Sequence, residues 1–491
     1  MNIILVGIFF ITFFFYLINQ IKRPSKFPPG PIWFPIVGNQ VQLRILSKSL
    51  GGLHLALSYL SQKYKTGVLG LKLGKEYIVS VSGYPLIKEV FTREEFEGRP
   101  ENFFFKMRSF GRLKSGITGT DGIGWSVHRS FVLRHFCSMG FGKTPMDAMV
   151  KNEIEEVLQI LKNSRSNIRL SKLFAPAILN ILWTLVAGKR IARDDLFLDE
   201  MLDLLSKRGK MFNVTGGVLN QFPWIRYIAP KWSGFRLIEY INGKLKKMIS
   251  TTIEEHHDTW EEGRDDDLIY SYISEIKKSK NNPIFCDEEL VVVCFDMFIA
   301  GSQITSGSLD LLFFMMTQYP EVQKKVQEEI DTKIGRESYI EYADVKRLPY
   351  TYAVLMEVLR YSHVAPIAGP RRVMRDTTLE GYFLPKGTTV LLDFHTMHYT
   401  QEKWSSPETF KPERFLNEKG EFSTPENFLP FGLGRRRCLG EVLAKHCLFY
   451  FFVEVMRKYS VVMAPESEAI SHLLLGITLT PENYKATFLE R

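Results

Sequence analysis

Apolar and polar positions divide the chain into stretches of distinct period. Met1 to Ile21 carries no charged side chain and is mostly Ile, Leu, Val and Phe. As a helix rising ~1.5 Å per residue it would be ~30 Å long, about one hydrocarbon core of a bilayer. Val68 to Val81 alternates about Gly74-Lys75, with Leu69, Leu71 and Leu73 before the turn and Tyr77, Val79 and Val81 after it. That pattern predicts a β-hairpin. A further strand is predicted over Thr388 to Leu392, after the turn Pro385-Lys386-Gly387. Helical spacing dominates elsewhere: Ile154, Val157, Leu158 and Leu161 share one face, as do Val322, Val326 and Ile330 between Pro320 and Gly335. Charged stretches at Glu261 to Asp267 and Lys277 to Pro283 read as loops. The expected fold is mainly α with small β-sheets.

Asp287 to Tyr319 is predicted as one long helix, opened by Asp287-Glu288-Glu289 and apolar on nearly all faces. Asp296, Ser302, Gln303, Thr305, Ser306 and Asp310 make it too polar for a membrane span, so it is expected to cross the core. The small and hydroxylated patch Ala300-Gly301-Ser302-Gln303-Ile304-Thr305 at its middle suits a bend or a ligand beside the backbone.

Composition narrows the class. With 491 residues, 45% hydrophobic and 13% aromatic, the chain can bury a large core and is not disordered. Length suggests about three domains, yet no boundary is visible after residue 34, so residues 35–491 are read as a single domain. Five Cys are too few for a disulfide framework. The net charge of +9 suits an anionic membrane surface or an acidic partner and is too diffuse to indicate nucleic acid.

Residues 1–21 are read as a transmembrane signal anchor, because no basic leader and no Ala-x-Ala-like site support a cleaved signal peptide. Lys22, Arg23 and Lys26 follow the span, which places the body on the cytosolic side. No second long, charge-free run is evident, so a single pass is expected. Residues 22–34, basic and carrying Phe27-Pro28-Pro29-Gly30-Pro31, cannot continue the helix and read as a stiff hinge.

The strongest chemical signal is Phe431-Gly432-Leu433-Gly434-Arg435-Arg436-Arg437-Cys438-Leu439-Gly440. Three arginines and the start of a helix over Glu441 to Val453 favour a thiolate at Cys438. The glycines let the backbone approach a flat ligand. Cys137, Cys286, Cys294 and Cys447 lack such surroundings and read as inert.

This segment resembles the haem-binding loop of the cytochrome P450 family, Phe-x-x-Gly-x-Arg-x-Cys-x-Gly, matched at Phe431, Gly434, Arg436, Cys438 and Gly440. Glu357-Val358-Leu359-Arg360 and Pro412-Glu413-Arg414-Phe415 resemble two further family motifs, implying a buried charge triad of Glu357, Arg360 and Arg414. Trp125-Ser126-Val127-His128-Arg129 resembles the family's Trp-x-x-x-Arg, which holds a haem propionate. Arg371, Arg436 and Arg99 are further propionate candidates, although for Arg99 alone a surface arginine is the favoured reading. The resemblance runs from the hinge to the C-terminus. The run Phe91 to Pro100 and Phe103-Phe104-Phe105 resemble the insect microsomal branch that includes methyl farnesoate epoxidase.

The family's properties are then the expectation: an α-rich triangular prism around haem b, with Cys438 as axial thiolate. Electrons would come from NADPH through a flavoprotein reductase, with cytochrome b5 as a further donor. One atom of O2 would enter an apolar terpenoid, hormone, lipid or xenobiotic by hydroxylation or epoxidation. The enzyme would be a single-pass protein of the endoplasmic reticulum membrane. Arg435, Arg437 and Lys445 would offer a basic face to the reductase or simply be solvated. Phe103 to Phe110, Ile477 and Leu479 fall where family members line the substrate cavity.

One stretch departs from the family. Its pattern Ala/Gly-Gly-x-Asp/Glu-Thr-Thr/Ser supplies an acid and an alcohol for proton delivery; here Ala300 and Gly301 match, but Gln303 and Ile304 replace the pair. Neither can relay a proton as a carboxyl and hydroxyl do. Thr305 with a water held by Gln303 is the expected substitute. Two alternatives stay open: a haem-thiolate isomerase or lyase that rearranges peroxides without a reductase, and a haem sensor without turnover.

Overall fold

A computed structural model describes residues 2–278, 282–362, 364–465, 467, 473–474, 480–481 and 484–491. Asn2–Ile21 is helical, and its described apolar side chains, among them Leu5, Phe10 and Phe14, face outward. Two other helices, Leu170–Ala187 and Asp287–Gln318, are long and apolar enough to cross a membrane. The first was not evident from the sequence, where Lys172 and Pro176 interrupt the run. Protein covers 83% and 67% of their apolar windows respectively, against none of Ile4–Ile21. Only the first helix therefore leaves its apolar surface without protein cover.

The expected hinge is docked rather than free. The Gly70 amide donates to the Pro29 carbonyl at 2.7 Å, and Phe27 and Trp33 are buried. A Cβ on Gly70 would collide with the Pro28 carbonyl oxygen, so a glycine is needed where these two backbones meet. Lys72 Nζ donates to the Gln20 carbonyl at 2.7 Å and ties the end of the first helix to the sheet.

That sheet has four strands in the order Val68–Leu73, Glu76–Val81, Thr389–Asp393 and Ile367–Arg372. The hairpin forms as predicted, and its second strand runs parallel to Thr389–Asp393. Its register pairs Leu71 with Ile78 and Val68 with Val81. Leu69, Leu71 and Leu73 thus lie on one face with Ile78, while Tyr77, Val79 and Val81 lie on the other. Separate apolar clusters cover the two faces, which is why both alternating sets are apolar.

Helices make up most of the rest, with three two-stranded sheets beside them. The central helix Asp287–Gln318 runs unbroken through the main core, so the small-residue patch at its middle does not interrupt it. It packs along Leu170–Ala187, where Phe174 stacks on Phe313 at 5.1 Å and Trp183 meets Phe298 edge-on at 5.6 Å. A Cβ on Gly301 would crowd the end of the Leu182 side chain, which would have to turn aside. Thr144–Asn163, Pro320–Lys333 and Glu441–Lys458 contain the predicted helical stretches. The architecture is mainly α with small sheets, as expected.

Candidate active site

The loop of residues 431–440, the middle of the central helix and Trp125 on Gly122–Ser138 enclose a cavity of about 390 Å³. Local backbone chemistry shapes the loop. Gly432 and Gly434 hold φ of +74° and +71°, a left-handed conformation that costs other residues about 1–2 kcal/mol. A Cβ on Gly434 would also strike the Phe91 carbonyl oxygen. Replacing Gly434 with Ala should therefore release the loop: we expect the variant to fold but to lose most of its haem on gel filtration. Full haem retention would show that the left-handed turn is dispensable. At Gly440 a Cβ would meet no described protein atom within 4 Å, so protein packing does not explain its missing side chain. It leaves room on the cavity wall.

Cys438 follows this turn, its amide donating to the Phe431 carbonyl at 2.9 Å, and precedes the helix Glu441–Lys458. Its exposed surface faces the cavity. The expected thiolate stabilisation by the protein alone does not hold. Burial raises the thiol's pKa, the Glu441 charge adds to the rise, and together they outweigh the Gly440 amide, Arg129 and Arg437, which favour the anion. A metal ion on the sulfur reverses that balance, because coordination deprotonates a thiol outright.

Arginines line the same cavity. Arg99, Arg129, Arg371, Arg436 and Arg437 all border it, and no Asp or Glu among the described residues does. Arg436 is 8% exposed, and none of its three guanidinium nitrogens has a hydrogen-bond partner among the described residues. Its guanidinium lies 3.8 Å from the Trp125 ring. Burial first, then repulsion from Arg99 and Arg371, pushes its pKa down to about 8. Arg371 is lowered to about 9, likewise chiefly by burial. Arg129 donates to the Arg437 carbonyl at 2.8 Å and also borders the Trp125 ring. Arg99 is not the surface residue expected from the sequence. It donates to the Gly369 and Pro370 carbonyls at 3.1 and 2.7 Å, beside Arg371, and what it exposes faces the cavity.

Such a set fits one kind of ligand: a flat, largely apolar group carrying carboxylates and a metal that accepts a thiolate. Haem has that chemistry. Cys438 and the glycines would meet its iron side, and Arg99, Arg129, Arg371, Arg436 and Trp125 its propionates. Phe431 also lines the wall.

Behind the loop, Glu357 and Arg360 are fully buried on Pro349–Ser362 and share two hydrogen bonds of 2.7 and 2.8 Å. Arg414 Nε reaches Glu357 at 3.4 Å, and the Lys411 amide donates to the same oxygen at 2.9 Å. The implied triad is thus assembled.

The central helix places its candidates on different sides. Ala300, Gly301, Ile304 and Thr305 line the cavity. Gln303 does not; it lies against Gly209 of Leu196–Met211 and lines a separate cavity of about 320 Å³. Residues i and i+2 do not share a helix face, so Gln303 and Thr305 do not hold one water between them as expected. Gln303 thus lies outside the cavity that holds Cys438, contrary to the expectation from the sequence.

Asp296 and Glu289 carry an unexpected role. Asp296 accepts from the Ile117 and Thr118 amides at 2.9 and 2.7 Å and from Arg108 Nε at 2.9 Å. Glu289 accepts from Ser115 Oγ and the Gly116 amide. Together they fix the loop that brings Ile117 and Thr118 to the cavity. The available signal was acids on a buried helix, which need partners. Phe103–Arg108 is a short helix whose Phe104 packs on Phe212 at 5.5 Å, and no residue from 103 to 110 borders this cavity among the described residues. Ile477 and Leu479 lie outside the described residues. On the outer side of the loop, Arg435 pairs with Glu97 at 3.0 Å, and Arg437 and Lys445 with Glu441 at 3.5 and 2.7 Å.

The sequence profile described as "Cytochrome P450" matches residues 28–488. "Probable cytochrome P450 305a1" of Drosophila melanogaster is 40% identical over 97% of this chain and 96% of its own length. "Farnesoate epoxidase" of Bombyx mori is 36% identical over 97% of each chain. "Cytochrome P450 2J2" of Homo sapiens is 33% identical over 94% of this chain and 91% of its own.

Proposed function

The chain belongs to the cytochrome P450 family, and from that premise we propose that it is a membrane-anchored haem-thiolate monooxygenase. Its substrate would be an apolar small molecule such as a terpenoid, hormone, lipid or xenobiotic. One observation carries the reading: five arginines and an accessible cysteine border a single cavity that no described acid borders. Haem bound there through Cys438 supplies the activation of dioxygen and the transfer of one oxygen atom to a C–H or C=C bond.

The chain's own residues hold, orient and exclude. Arg99, Arg129, Arg371 and Arg436 would lose their mutual repulsion on meeting two carboxylates, with Trp125 stacked beneath Arg436. Gly440 leaves room for a flat group on the cavity wall, while Gly434, packed on the Phe91 carbonyl and not itself bordering the cavity, would hold the turn of the loop. On the central helix Ala300 and Gly301 keep the wall low, while Ile304, 46% exposed towards the cavity, keeps its part of the wall apolar. Thr305 Oγ1 has no hydrogen-bond partner among the described residues, whereas the neighbouring Ser308 hydroxyl already donates to the Ile304 carbonyl. Thr305 is therefore the hydroxyl that would hold and pass a proton, without Gln303.

Residues 1–21 would hold the body at the cytosolic face of the endoplasmic reticulum membrane. NADPH would supply electrons through a flavoprotein reductase, with cytochrome b5 as a further donor, at the face of Arg435, Arg437 and Lys445. The test is reconstitution with reductase and NADPH against terpenoids and other apolar lipids. NADPH-dependent product supports the reading. Product formed from an organic peroxide alone, with none from NADPH, supports the isomerase reading, which the apolar Ile304 favours.

The proton assignment has its own test. Thr305→Ala is expected to lower product per NADPH about tenfold and raise released peroxide correspondingly, while Gln303→Ala leaves the ratio unchanged. The ratio follows from parallel NADPH, product and peroxide assays. The reverse pattern would return Gln303 to the relay and remove Thr305.

A further inference from the structure

Asp310 is a buried acid without a donor. It lies on the central helix, 6% exposed, and its Oδ1 has no hydrogen-bond partner among the described residues. The hydroxyls beside it are engaged with the backbone. Tyr484 donates to the Asp310 carbonyl at 2.7 Å, and Ser306 to the Ser302 carbonyl at 3.1 Å. An unsatisfied buried carboxyl destabilises a fold, and a donor that arrives from outside removes that penalty. The way in is present: Asp310 borders the cavity of about 320 Å³ behind the central helix, apart from the one at Cys438.

The walls say which ligand. Gln303, about two turns before Asp310 on the same helix face, has an amide without a partner among the described residues. Pro176 lies inside Leu170–Ala187 and denies the Lys172 carbonyl its helical amide; both residues border the cavity. Leu170, Ala175 and Leu202 add apolar wall. The other charged side chains lining it, Arg169, Lys172, Asp199, Asp203, Lys207 and Lys210, are all exposed, so water screens them. Lys172 pairs with Asp199 at 2.7 Å and Asp203 at 3.7 Å. Arg208 of the facing helix lies over the Phe104 ring and does not border this cavity. The interior therefore offers a carboxyl and a carbonyl as acceptors, with no buried cation to answer them.

We propose that this cavity is a second ligand site, separate from the haem cavity, for a small organic cation with N–H donors held by Asp310. The ligand class is an ammonium or amidinium on a short apolar body. Burial raises the pKa of the empty Asp310 to about 8, so its carboxyl is mostly protonated at neutral pH. A cation needs the carboxylate, so the carboxyl proton passes to the buffer as the ion pair forms. Affinity should then rise about tenfold per pH unit up to about pH 8 and level off above it. Benzamidine is the probe, because its amidinium stays protonated throughout and has no lone pair for haem iron. It is titrated by calorimetry into haem-loaded full-length protein, beside neutral benzamide of nearly the same shape. Wild type should bind benzamidine about tenfold or more tighter than benzamide above pH 8. Asp310→Asn should lose that preference and the pH dependence, and should melt no lower than wild type. Asp203→Asn, at the mouth, should keep both.

Equal binding of the two compounds, no binding of benzamidine, or an affinity that is flat below pH 8 would overturn the site, and none of these results needs a variant. A benzamidine preference that survives in Asp310→Asn would place the cation elsewhere and overturn the role of Asp310. A preference lost equally in Asp203→Asn would do the same, by moving the cation to the mouth. Because the readout is binding and proton release, its outcome does not depend on whether the haem turns over.

Discussion

Replacing Cys438 with Ala is expected to give a folded protein that lacks the thiolate-type absorption of the reduced carbon monoxide complex and has no NADPH-dependent turnover. Among the described residues the cavity offers no substitute ligand. Cys447 and His398 also border it, but both are buried. Burial drives the Cys447 thiol further from its anion and lowers the His398 pKa to about 3. Cys438 alone among the three exposes its side chain towards the cavity. The fold should survive, since Cys438 contributes a loop amide bond that alanine retains. Cys447→Ala is the control and should keep the absorption. Survival of the thiolate-type band in Cys438→Ala would remove this residue as the iron ligand.

Glu357→Ala should cost about 3–5 kcal/mol of stability, the cost of breaking a buried ion pair from one side. Glu357 and Arg360 are fully buried, and Arg414 is nearly so. Removal of the one carboxylate would leave two guanidinium groups facing each other without water. Arg360 also donates to the His398 carbonyl at 2.9 Å, and His398 borders the cavity. Arg414 donates to the Ser405, Ser406 and Thr409 carbonyls. Loss of the triad therefore loosens the chain leading into the loop as well as the core helix. The expected result is a large drop in melting temperature with loss of bound haem. A melting curve within about 0.5 kcal/mol of wild type would mean that the backbone carbonyls alone hold the arginines.

Local signals read well from the sequence where one short-range rule decides the outcome. Gly74-Lys75 between alternating residues fixed the hairpin, and Pro320 and Gly335 bounded their helix because Pro lacks an amide and Gly takes φ of +90°. The ten-residue loop located Cys438 and its arginines. What did not read correctly depended on the third dimension. Arg99 looked like a surface residue because only its tertiary neighbours, the Gly369 and Pro370 carbonyls, bring it to the cavity. The thiolate of Cys438 looked stabilised because the three arginines are visible in the sequence and the burial that opposes them is not. Leu170–Ala187 escaped notice through one lysine and one proline, and only packing against the central helix distinguishes it from a span.

Gln303 is a different case, since the 3.6-residue period already separates positions 303 and 305 on a helix. The family's acid at that position suggests a role by residue type, and the helix face overrules it. Asp296 shows the converse: an acid that looked like an interruption of an apolar helix organises the cavity wall through two backbone amides.

The most direct test of the central claim is turnover in isotopically heavy dioxygen, with purified protein, reductase and NADPH. The account predicts one heavy oxygen atom in each product molecule, the other in water, and no product when NADPH is withheld. Product that forms without NADPH, or that carries oxygen from a supplied peroxide with none from dioxygen, would contradict it.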